Sequence, residues 1–404
     1  MENFNDIDAE TVNLEQIKSL PSNAYTDPEI FKRERYDLFR YIPVMATPVC
    51  LLPNIGNYVV IDIAEDSVIV TRNDKEEIKA MANTCRHRGK RLVDNKTDLM
   101  EPQKGFKSIV CPYHAWSYDL NGKLLKARGD ESNSAFKHLC LRKLQVQESA
   151  GLVFYHGHHE QYERVKNLEQ TLGSLNLKEA KVGARKTYDV KANWKLWTEN
   201  FLECWHCASS HPELRTVKGF IDQFEGGRED LYIQDSINWA SKAEKKKWKK
   251  PIEEDFNADK DLFHFNVNMP LGGDTLTASK DGKRMGATLG NAEGLEGGAI
   301  FGCMGPFLFY LAYVDYILLV TLKPKSADNT EVELIWLTSA DFSASEDELT
   351  WLWDTTIKQD IKLIEETQSG VSSIHYTPGP FQADEYRTRS FVSWWKKWEQ
   401  KNEN

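Results

Sequence analysis

Two cysteines and two histidines occur as two short mixed pairs. Cys85 and His87 form a C-x-H pair, and Cys111 and His114 form a C-x₂-H pair after the 23 residues 88–110. Zinc and iron–sulfur clusters both use these ligand types. Zinc fingers pair Cys with Cys and His with His, whereas each pair here offers one of each. The pairing favours a [2Fe–2S] cluster bound through two cysteines and two histidines over a tetrahedral zinc site.

A second group of ligand-type residues lies in the segment 199–212. Glu203 and His206 are three positions apart and share a helix face. His206 and His211 are five apart, about 140° around an ideal helix. Pro212 disfavours helical geometry at His211. We therefore expect the helix to end or distort there, so that the two imidazoles can converge.

Two histidines and one carboxylate are the facial ligand set of non-haem Fe(II) oxygenases. The carboxylate must come from elsewhere in the chain. Asp360, in a helix predicted over 347–369, is the favoured donor. Asp354, Glu365 and Glu366 are rivals on helical periodicity alone.

The other cysteines are expected to be ordinary thiols. A Cys204-x₂-Cys207 pair also invites a redox or zinc interpretation, but no second cysteine pair is near it. We expect both to pack beside the histidine segment. An odd number of cysteines favours a reducing compartment. The residues left as thiols are Cys50, Cys140, Cys204, Cys207 and Cys303.

Charge and hydropathy limit the partners. The chain has 404 residues, with 51 Lys and Arg against 61 Asp and Glu, a net charge of −10. Nucleic-acid binding needs clustered surplus cations, so no nucleic acid is expected. The apolar stretch 305–322 is interrupted by Asp315, which suits two buried strands around a turn and no membrane span. The start of the chain has no apolar signal-peptide core, so the cytoplasm is predicted.

The elements that position these residues fall into three parts. Residues 11–40 read as helical, with Thr26 and Asp27 before Pro28 as a helix start. Short β runs follow, with Asn121-Gly122 as a hairpin turn. The rest mixes helices with strands of a mostly antiparallel sheet, so the fold class is α+β. The predicted domains are 1–42, 43–155 and 156–404. The predicted helices of the third are 160–175, 195–207 and 347–369, and its strands include 298–309, 314–324 and 331–342.

The first motif resembles a known family signature. The letters "CRHRG" and "CPYHAWSYDLNGKL" are similar to the Rieske [2Fe–2S] signature, with a longer gap between the two pairs. The resemblance implies that Cys85 and Cys111 bind one iron, and that His87 and His114 bind the other.

The second segment resembles the E-x₃-D-x₂-H-x₄-H signature of Rieske non-haem iron oxygenase α subunits, the ring-hydroxylating oxygenases. Glu199 fits the first acid of that pattern. The resemblance implies a mononuclear Fe(II) held by His206, His211 and Asp360. It also implies a small all-β Rieske domain at 43–155, a larger α+β catalytic domain of the helix-grip (START-like) type, and N-terminal helices packed on that domain.

Glu203 stands where this family usually has Asp. The resemblance implies a homotrimer in which this carboxylate links the partner subunit's His114 to His206 and so carries electrons between the two centres. Electrons would come from NAD(P)H only indirectly, through a separate reductase with or without a ferredoxin, because no flavin or nicotinamide motif is visible.

The local form "NWKLWTENFLECWHC" resembles the branch that acts on quaternary ammonium compounds, such as glycine betaine, carnitine and choline. The implied reaction uses O₂ for C–H hydroxylation or N-demethylation of a small betaine-like substrate, by a monooxygenase in preference to a dioxygenase. Trp197, Phe201 and Trp205 are the substrate-binding candidates, because aromatic faces attract trimethylammonium groups; core packing is the alternative for them.

Three other functions compete with this one. The same machinery could act on an aromatic or alicyclic substrate. A Rieske electron carrier would need no second iron, so His206 and His211 argue against it. A zinc-binding interaction module is disfavoured by the mixed Cys–His pairs.

Overall fold

Three antiparallel sheets form the framework of the described part of the chain in the computed structural model. The structure describes residues 18–95, 99–128, 136, 138–157, 162–217, 229–248 and 262–402. Two sheets have six strands and one has three. Within these described residues, no helix is long and apolar enough to cross a membrane. The predicted α+β class, with a β unit followed by a mixed unit, is confirmed.

The N-terminal region, predicted to be helical over 11–40, forms two short helices in its described part. Helix α1 spans Ser22–Thr26, and α2 spans Pro28–Glu34 and continues as a π-helical turn at Arg35–Phe39. Asp27 separates α1 from α2 because its backbone is extended, and its carboxylate accepts a hydrogen bond from Glu29 N at 2.8 Å. Residues 11–17 of the prediction lie outside the described residues.

These helices pack on the second half of the chain through Glu34, whose side chain is fully buried. Its carboxylate accepts hydrogen bonds from Trp194 Nε1, Lys195 Nζ and Trp395 Nε1 at 2.9, 2.6 and 2.7 Å. A buried carboxylate is tolerated when it is paired and hydrogen-bonded in this way. The contact fixes the N-terminal helices against the unit that carries the histidine segment.

The β unit contains one of the six-stranded sheets and the three-stranded sheet. Six strands form one sheet in the order β1-β9-β8-β4-β3-β2, and three short strands form the other in the order β5-β6-β7. Ala150 and Gly151 form the two-residue turn between β8 and β9, and both have positive φ, as a type I′ hairpin requires. The strands are β1 (Val44–Pro48), β2 (Tyr58–Ile63), β3 (Asp66–Arg72), β4 (Ile78–Ala82), β5 (Ile109–Val110), β6 (Ser117–Tyr118), β7 (Leu124–Lys126), β8 (Lys143–Ser149) and β9 (Leu152–His156).

The hairpin predicted at Asn121-Gly122 lies between β6 and β7. Gly122 has φ +82°, and the Asp119 carboxylate accepts hydrogen bonds from Asn121 N and Lys123 N. A side chain that caps the turn and a glycine with positive φ are the chemistry that a tight turn needs.

The second unit is a six-stranded sheet with helices packed on it. The strand order is β10-β15-β14-β13-β12-β11. The strands are β10 (Lys181–Val190), β11 (His264–Pro270), β12 (Gly298–Met304), β13 (Leu308–Ala312), β14 (Tyr316–Ser326) and β15 (Asn329–Thr338), and the helices are α3 (Glu163–Leu172), α4 (Trp194–Phe201), α5 (Cys207–Ser210), α6 (Glu229–Lys245), α7 (Glu346–Val371) and α8 (Tyr386–Asn402).

Helix α7 is the element that links the sheet to the histidine segment, because it contacts both β10 and α4. It begins at a capping box, in which Ser345 and Glu348 satisfy each other's backbone N–H groups. Ile357 and Ile364 are buried seven residues apart on one face, and Asp360 lies between them on the same face.

Two predicted elements are each divided in the structure. The strand expected over 298–309 is two strands, β12 and β13, because Gly305 turns the chain with φ +64°. The helix expected over 195–207 ends at Phe201, and a short turn separates it from α5. The apolar stretch around Asp315 forms β13, a tight turn and β14, as predicted.

Candidate metal centres

The first candidate centre lies on two turns at one end of the β unit. Cys85 and Cys111 are 3 % and 2 % exposed. Each begins a turn closed by backbone hydrogen bonds, from Gly89 N to Cys85 O at 3.0 Å and from Ala115 N to Cys111 O at 3.0 Å. Gly89 and Ala115 both have positive φ. The two turns therefore have closely similar local geometry, each with a buried sulfur at its base.

The two histidines of these turns lie side by side at the more exposed end. The His87 and His114 ring centroids are 4.7 Å apart, and His87 stacks on Trp116. The Tyr118 hydroxyl lies 3.2 Å from Cys85 Sγ and accepts a hydrogen bond from Arg86 N. Partial desolvation and the neighbouring His87 lower the pKa of His114, which favours the neutral imidazole that binds metals. Two buried sulfurs and two adjacent imidazoles are a donor set that fits a [2Fe–2S] cluster with mixed ligands.

The second candidate centre brings together His206, His211 and Asp360. His206 Nε2 and His211 Nε2 lie 3.3 and 3.1 Å from the same oxygen of Asp360, Oδ1. His211 leaves helical geometry with φ −123° and ψ 74°, as the proline after it predicts. The distortion turns the second imidazole toward the first, although the two residues are five positions apart.

Hydrogen bonds on the far side of each ring orient these imidazoles. With its proton on Nδ1, His206 donates to Glu203 Oε1 at 2.6 Å, and His211 donates to Gln359 Oε1 at 2.8 Å. Asn200 Nδ2 donates to Asp360 Oδ1 at 3.0 Å. Carboxylates and amides in these positions fix the tautomer and direct the Nε2 lone pairs at a metal.

Gln359 and Asn200 were not predicted from the sequence. Gln359 precedes Asp360 in helix α7, and its Nε2 donates to Glu213 Oε2 at 2.8 Å. Gln359 is next to the predicted ligand Asp360, and Asn200 is next to Glu199, the first acid of the signature. This adjacency was the signal available in the sequence. The helix packing that brings α7 against α4 is what gives these amides their roles.

The electrostatics of the three-residue site favour a cation. Burial opposes the charge on His206, but hydrogen bonds with Asp360 and Glu203 outweigh it and raise the pKa of His206 to about 10. Burial would raise the pKa of Asp360, yet the two histidines hold it below its usual value. The point between these side chains therefore attracts positive charge, which a bound metal ion would supply. Two imidazoles and a carboxylate fit a mononuclear Fe(II).

The rival carboxylates of α7 have other contacts. Asp354 is hydrogen-bonded by Lys186 Nζ at 2.7 Å and by the Tyr188 hydroxyl. Glu365 accepts a hydrogen bond from Lys191 N, and Glu366 is exposed. Of the four carboxylates considered on this helix, Asp360 is the one that meets both imidazoles.

Cys204 and Cys207 form a disulfide, so the expectation that both are thiols was wrong. Their Cα atoms are 5.0 Å apart, because the turn between α4 and α5 folds the two residues toward each other. Cys207 Sγ lies 4.0 Å from His206 Nε2. A sulfur in a disulfide has no thiolate to give to a metal, so the carboxylate of Asp360 completes the ligand set.

A pocket opens onto this three-residue site. Its wall includes Phe201, Phe301 and Trp353, together with the aliphatic side chains of Leu214 and Leu311. The aromatic faces come from α4, β12 and α7, which are distant in sequence. Apart from Phe201, these wall residues were missed, because strand pairing and helix packing had to bring them together.

Of the three predicted substrate residues, one lines the pocket. Phe201 does, whereas Trp197 is 1 % exposed and stacks behind it, with ring centroids 5.9 Å apart. Trp205 is 37 % exposed at the surface. Neither tryptophan is part of the pocket wall, and the core packing given as the alternative describes Trp197.

Comparison with known proteins gives matches to both units. Residues 44–141 match the family model for the Rieske [2Fe-2S] domain, and residues 177–401 match that for the ring hydroxylating alpha subunit (catalytic domain). The glycine betaine monooxygenase oxygenase subunit of Pseudomonas aeruginosa is 31 % identical over 388 residues, which are 93 % of this chain and 88 % of that protein. The carnitine monooxygenase oxygenase subunit of Escherichia coli K12 is 30 % identical over 54 % of this chain and 56 % of its own.

The fold is similar to that of a solved oxygenase. The crystal structure of the quaternary ammonium Rieske monooxygenase CntA in complex with L-carnitine superposes with a TM-score of 0.71 at 18 % identity, over 96 % of this chain and 97 % of that one. At this identity the likeness concerns the fold. The two units and the helices before them thus follow an established architecture.

Proposed function

Since this chain belongs to the ring-hydroxylating α-subunit family with a Rieske [2Fe–2S] domain, we propose that it is the terminal oxygenase component that oxidises a small quaternary ammonium compound. The observation that carries the substrate class is the aromatic wall of the pocket, set beside the three-residue site. The relative that names glycine betaine aligns with 93 % of the chain, across both units. Monooxygenation is the reaction in the names of both relatives.

Seven side chains hold the two centres in this proposal. Cys85, His87, Cys111 and His114 hold the [2Fe–2S] cluster, and His206, His211 and Asp360 hold a single Fe(II). When bound, these centres store electrons and activate O₂ for hydroxylation. The surrounding residues keep the ligands in place. Glu203 and Gln359 hold the Nδ1 protons of the two iron ligands, and Asn200 orients the carboxylate.

In this proposal the pocket binds the substrate through the substrate's positive charge and methyl groups. Phe201, Phe301 and Trp353 present aromatic surfaces to a trimethylammonium group, and each such contact stabilises a cation by about 0.5–2 kcal/mol. Leu214 and Leu311 add aliphatic surface to this side of the pocket. Since the quaternary nitrogen has no N–H to donate, it is held by dispersion, by cation–π attraction and by its charge, and not by hydrogen bonds.

The reaction that follows is oxidative N-demethylation. One oxygen atom of O₂ enters an N-methyl C–H bond, and the other leaves as water with two protons and two electrons. The resulting N-hydroxymethyl compound then breaks its C–N bond, releasing formaldehyde and the tertiary amine with loss of a proton. Hydroxylation at another carbon next to nitrogen follows the same balance for the oxygen insertion.

Glu203 is the group we propose for electron transfer between chains. Its side chain is 15 % exposed, its Oε1 meets His206, and its Oε2 accepts a hydrogen bond from Trp205 N. It is therefore in contact with an iron ligand while lying near the surface. His87 and His114 are themselves at an exposed end of the β unit. These positions suit a homotrimer in which the partner subunit's His114 approaches Glu203.

The electrons would originate from NAD(P)H through a separate reductase, with or without a ferredoxin, in the cytoplasm.

Reductase-coupled turnover tests the proposed substrate class. The holoprotein is incubated with a Rieske-oxygenase reductase, NADH and O₂ over a panel of glycine betaine, carnitine, choline and simple aromatics, and formaldehyde is measured with O₂ and NADH consumption. We expect formaldehyde from at least one quaternary ammonium compound, in proportion to the O₂ consumed. Oxidation confined to aromatic compounds would replace the proposal with the aromatic alternative.

A further inference from the structure

Arg387 lies on the wall of the same pocket, at the start of helix α8. Its guanidinium carbon is 4.8 Å from the ring centroid of Phe265 and 4.9 Å from that of Tyr386. Phe265 in turn packs edge-to-face on the pocket residue Phe301 at 5.0 Å. Two aromatic rings thus hold the guanidinium, and one of them belongs to the packing of the pocket wall.

The charge of Arg387 matters for the substrate. Among the described residues that line the pocket, it is the one whose side chain carries a permanent positive charge. The lining carboxylates Glu203 and Asp360 face the imidazoles of the iron site. In a partly desolvated pocket, a fixed cation disfavours a ligand that carries only positive charge. The same cation favours a ligand whose ammonium is accompanied by a carboxylate.

Arginine also has the shape for this task. Its planar guanidinium offers a fork of N–H donors that can bind both oxygens of a carboxylate at once. The stacking rings restrict the side chain before the ligand arrives, so less entropy is lost on binding. The aromatic wall and the guanidinium together offer one surface for an ammonium group and one for a carboxylate.

We propose that Arg387 binds the carboxylate of a zwitterionic substrate and so makes the enzyme select betaines over choline-type cations. The inference rests on the proposed function, since it deepens the substrate class of that site. Arg387 is a substrate-binding residue here, and the aromatic wall supplies the other half of the recognition.

Binding measurements on the holoprotein test the role of Arg387. Calorimetry with glycine betaine and with its methyl ester compares two ligands that share the trimethylammonium group and differ in the carboxylate charge. The wild type should bind glycine betaine more tightly than the ester. Arg387→Gln should weaken glycine betaine about 10- to 100-fold, the loss expected for hydrogen bonds to charged groups. Its affinity for the ester should stay the same or rise.

Two further variants control the experiment. Arg387→Lys keeps the charge without the planar fork and should fall between wild type and Arg387→Gln. Lys401→Gln removes one positive charge from the exposed far end of the same helix, and should leave both affinities unchanged. The visible absorption of the cluster and the thermal midpoint report whether each variant is folded. If Arg387→Gln does not fold, the wild-type ratio and Arg387→Lys decide the question.

The outcomes separate this inference from the proposed function. Equal losses for glycine betaine and its ester in Arg387→Gln, no loss at all, or a wild type that binds both ligands equally would overturn the role of Arg387 and leave the oxygenase proposal standing. A wild type that binds and oxidises no quaternary ammonium compound would instead overturn the proposed function.

Discussion

Glu199, the first acid of the iron-site segment, should make the stability of the protein depend on pH. The Tyr25 hydroxyl donates to its carboxylate, with distances of 2.9 and 3.2 Å to the two oxygens. Burial raises the pKa of Glu199 to about 7, although Tyr25 and Lys195 act in the opposite direction. The folded protein therefore binds a proton at this carboxyl more tightly than the unfolded chain does.

The sign and size of the effect follow from these pKa values. The ordinary pKa of the carboxyl is 4.5. Below that pH the group is protonated in both states, and its stabilising contribution is fully present. The contribution is lost as pH rises through the folded-state pKa. A separation of about 2.5 between the two pKa values corresponds to about 3 kcal/mol for complete desolvation. Since Glu199 keeps some exposure, we expect its pH-dependent contribution to the free energy of unfolding to be about 1–3 kcal/mol.

Glu199→Gln removes the charge and keeps an oxygen that can accept from Tyr25. In calorimetric melting, the melting temperature of the variant should rise relative to that of the wild type as pH increases from 5 to 8. At about 2–4 °C per kcal/mol for a unit of this size, the catalytic unit should melt about 2–12 °C higher than wild type at pH 8. Glu29→Gln, in the exposed part of α2, is the matched control and should follow the wild type. Parallel curves for wild type and Glu199→Gln across this pH range would refute the reasoning.

Three other variants or treatments test separate parts of the site. Glu203→Gln should keep the iron and sulfide content but uncouple cluster reduction from product formation; normal product yield per electron would contradict the bridging role. Gln359→Leu should weaken Fe(II) binding about 10- to 100-fold in chelator competition, because His211 loses the hydrogen-bond acceptor of its Nδ1. Glu366→Gln, on the exposed side of α7, is the control and should leave Fe(II) affinity unchanged. An Fe(II) affinity of Gln359→Leu equal to that of the wild type would count against this contact. Alkylation of the denatured protein should label five thiols before reduction and seven after it, and seven before reduction would argue against the Cys204–Cys207 disulfide.

The two Cys–His ligand pairs could be predicted from the sequence because the residues of each pair are close together in the chain. Cys85-x-His87 and Cys111-x₂-His114 lie within single turns, so their geometry depends mainly on nearby residues. The distortion at His211 also followed from a neighbour, Pro212. The α+β class was predictable for the same reason, because hydrophobic periodicity and turn residues are local signals.

Features that depend on packing between distant elements could not be predicted in the same way. Asp360 could be ranked above its rivals only through the family resemblance, since Asp354 satisfies the helical period equally well until Lys186 and Tyr188 are seen beside it. Phe301 and Arg387 reach the pocket from β12 and α8, and no local pattern marks them.

The division of the histidine segment was not predicted from the sequence. The sequence predicts one helix over 195–207, but α4 ends at Phe201. The turn that follows places Trp205 at the surface and brings Cys204 to Cys207. The early end of α4 thus leaves Trp205 outside the pocket wall and is followed by the turn that joins Cys204 to Cys207.

A single-turnover experiment tests the central claim most directly. The holoprotein is reduced chemically, freed of excess reductant and exposed to O₂ and glycine betaine, so that the electrons come from the protein itself. We predict formaldehyde in proportion to the electron pairs stored at the cluster and the mononuclear iron. The Asp360→Ala variant should retain the cluster absorption but lose one iron per chain and form no product. Product formation in Asp360→Ala equal to wild type, or no product from the iron-loaded wild type with any quaternary ammonium compound, would contradict the account.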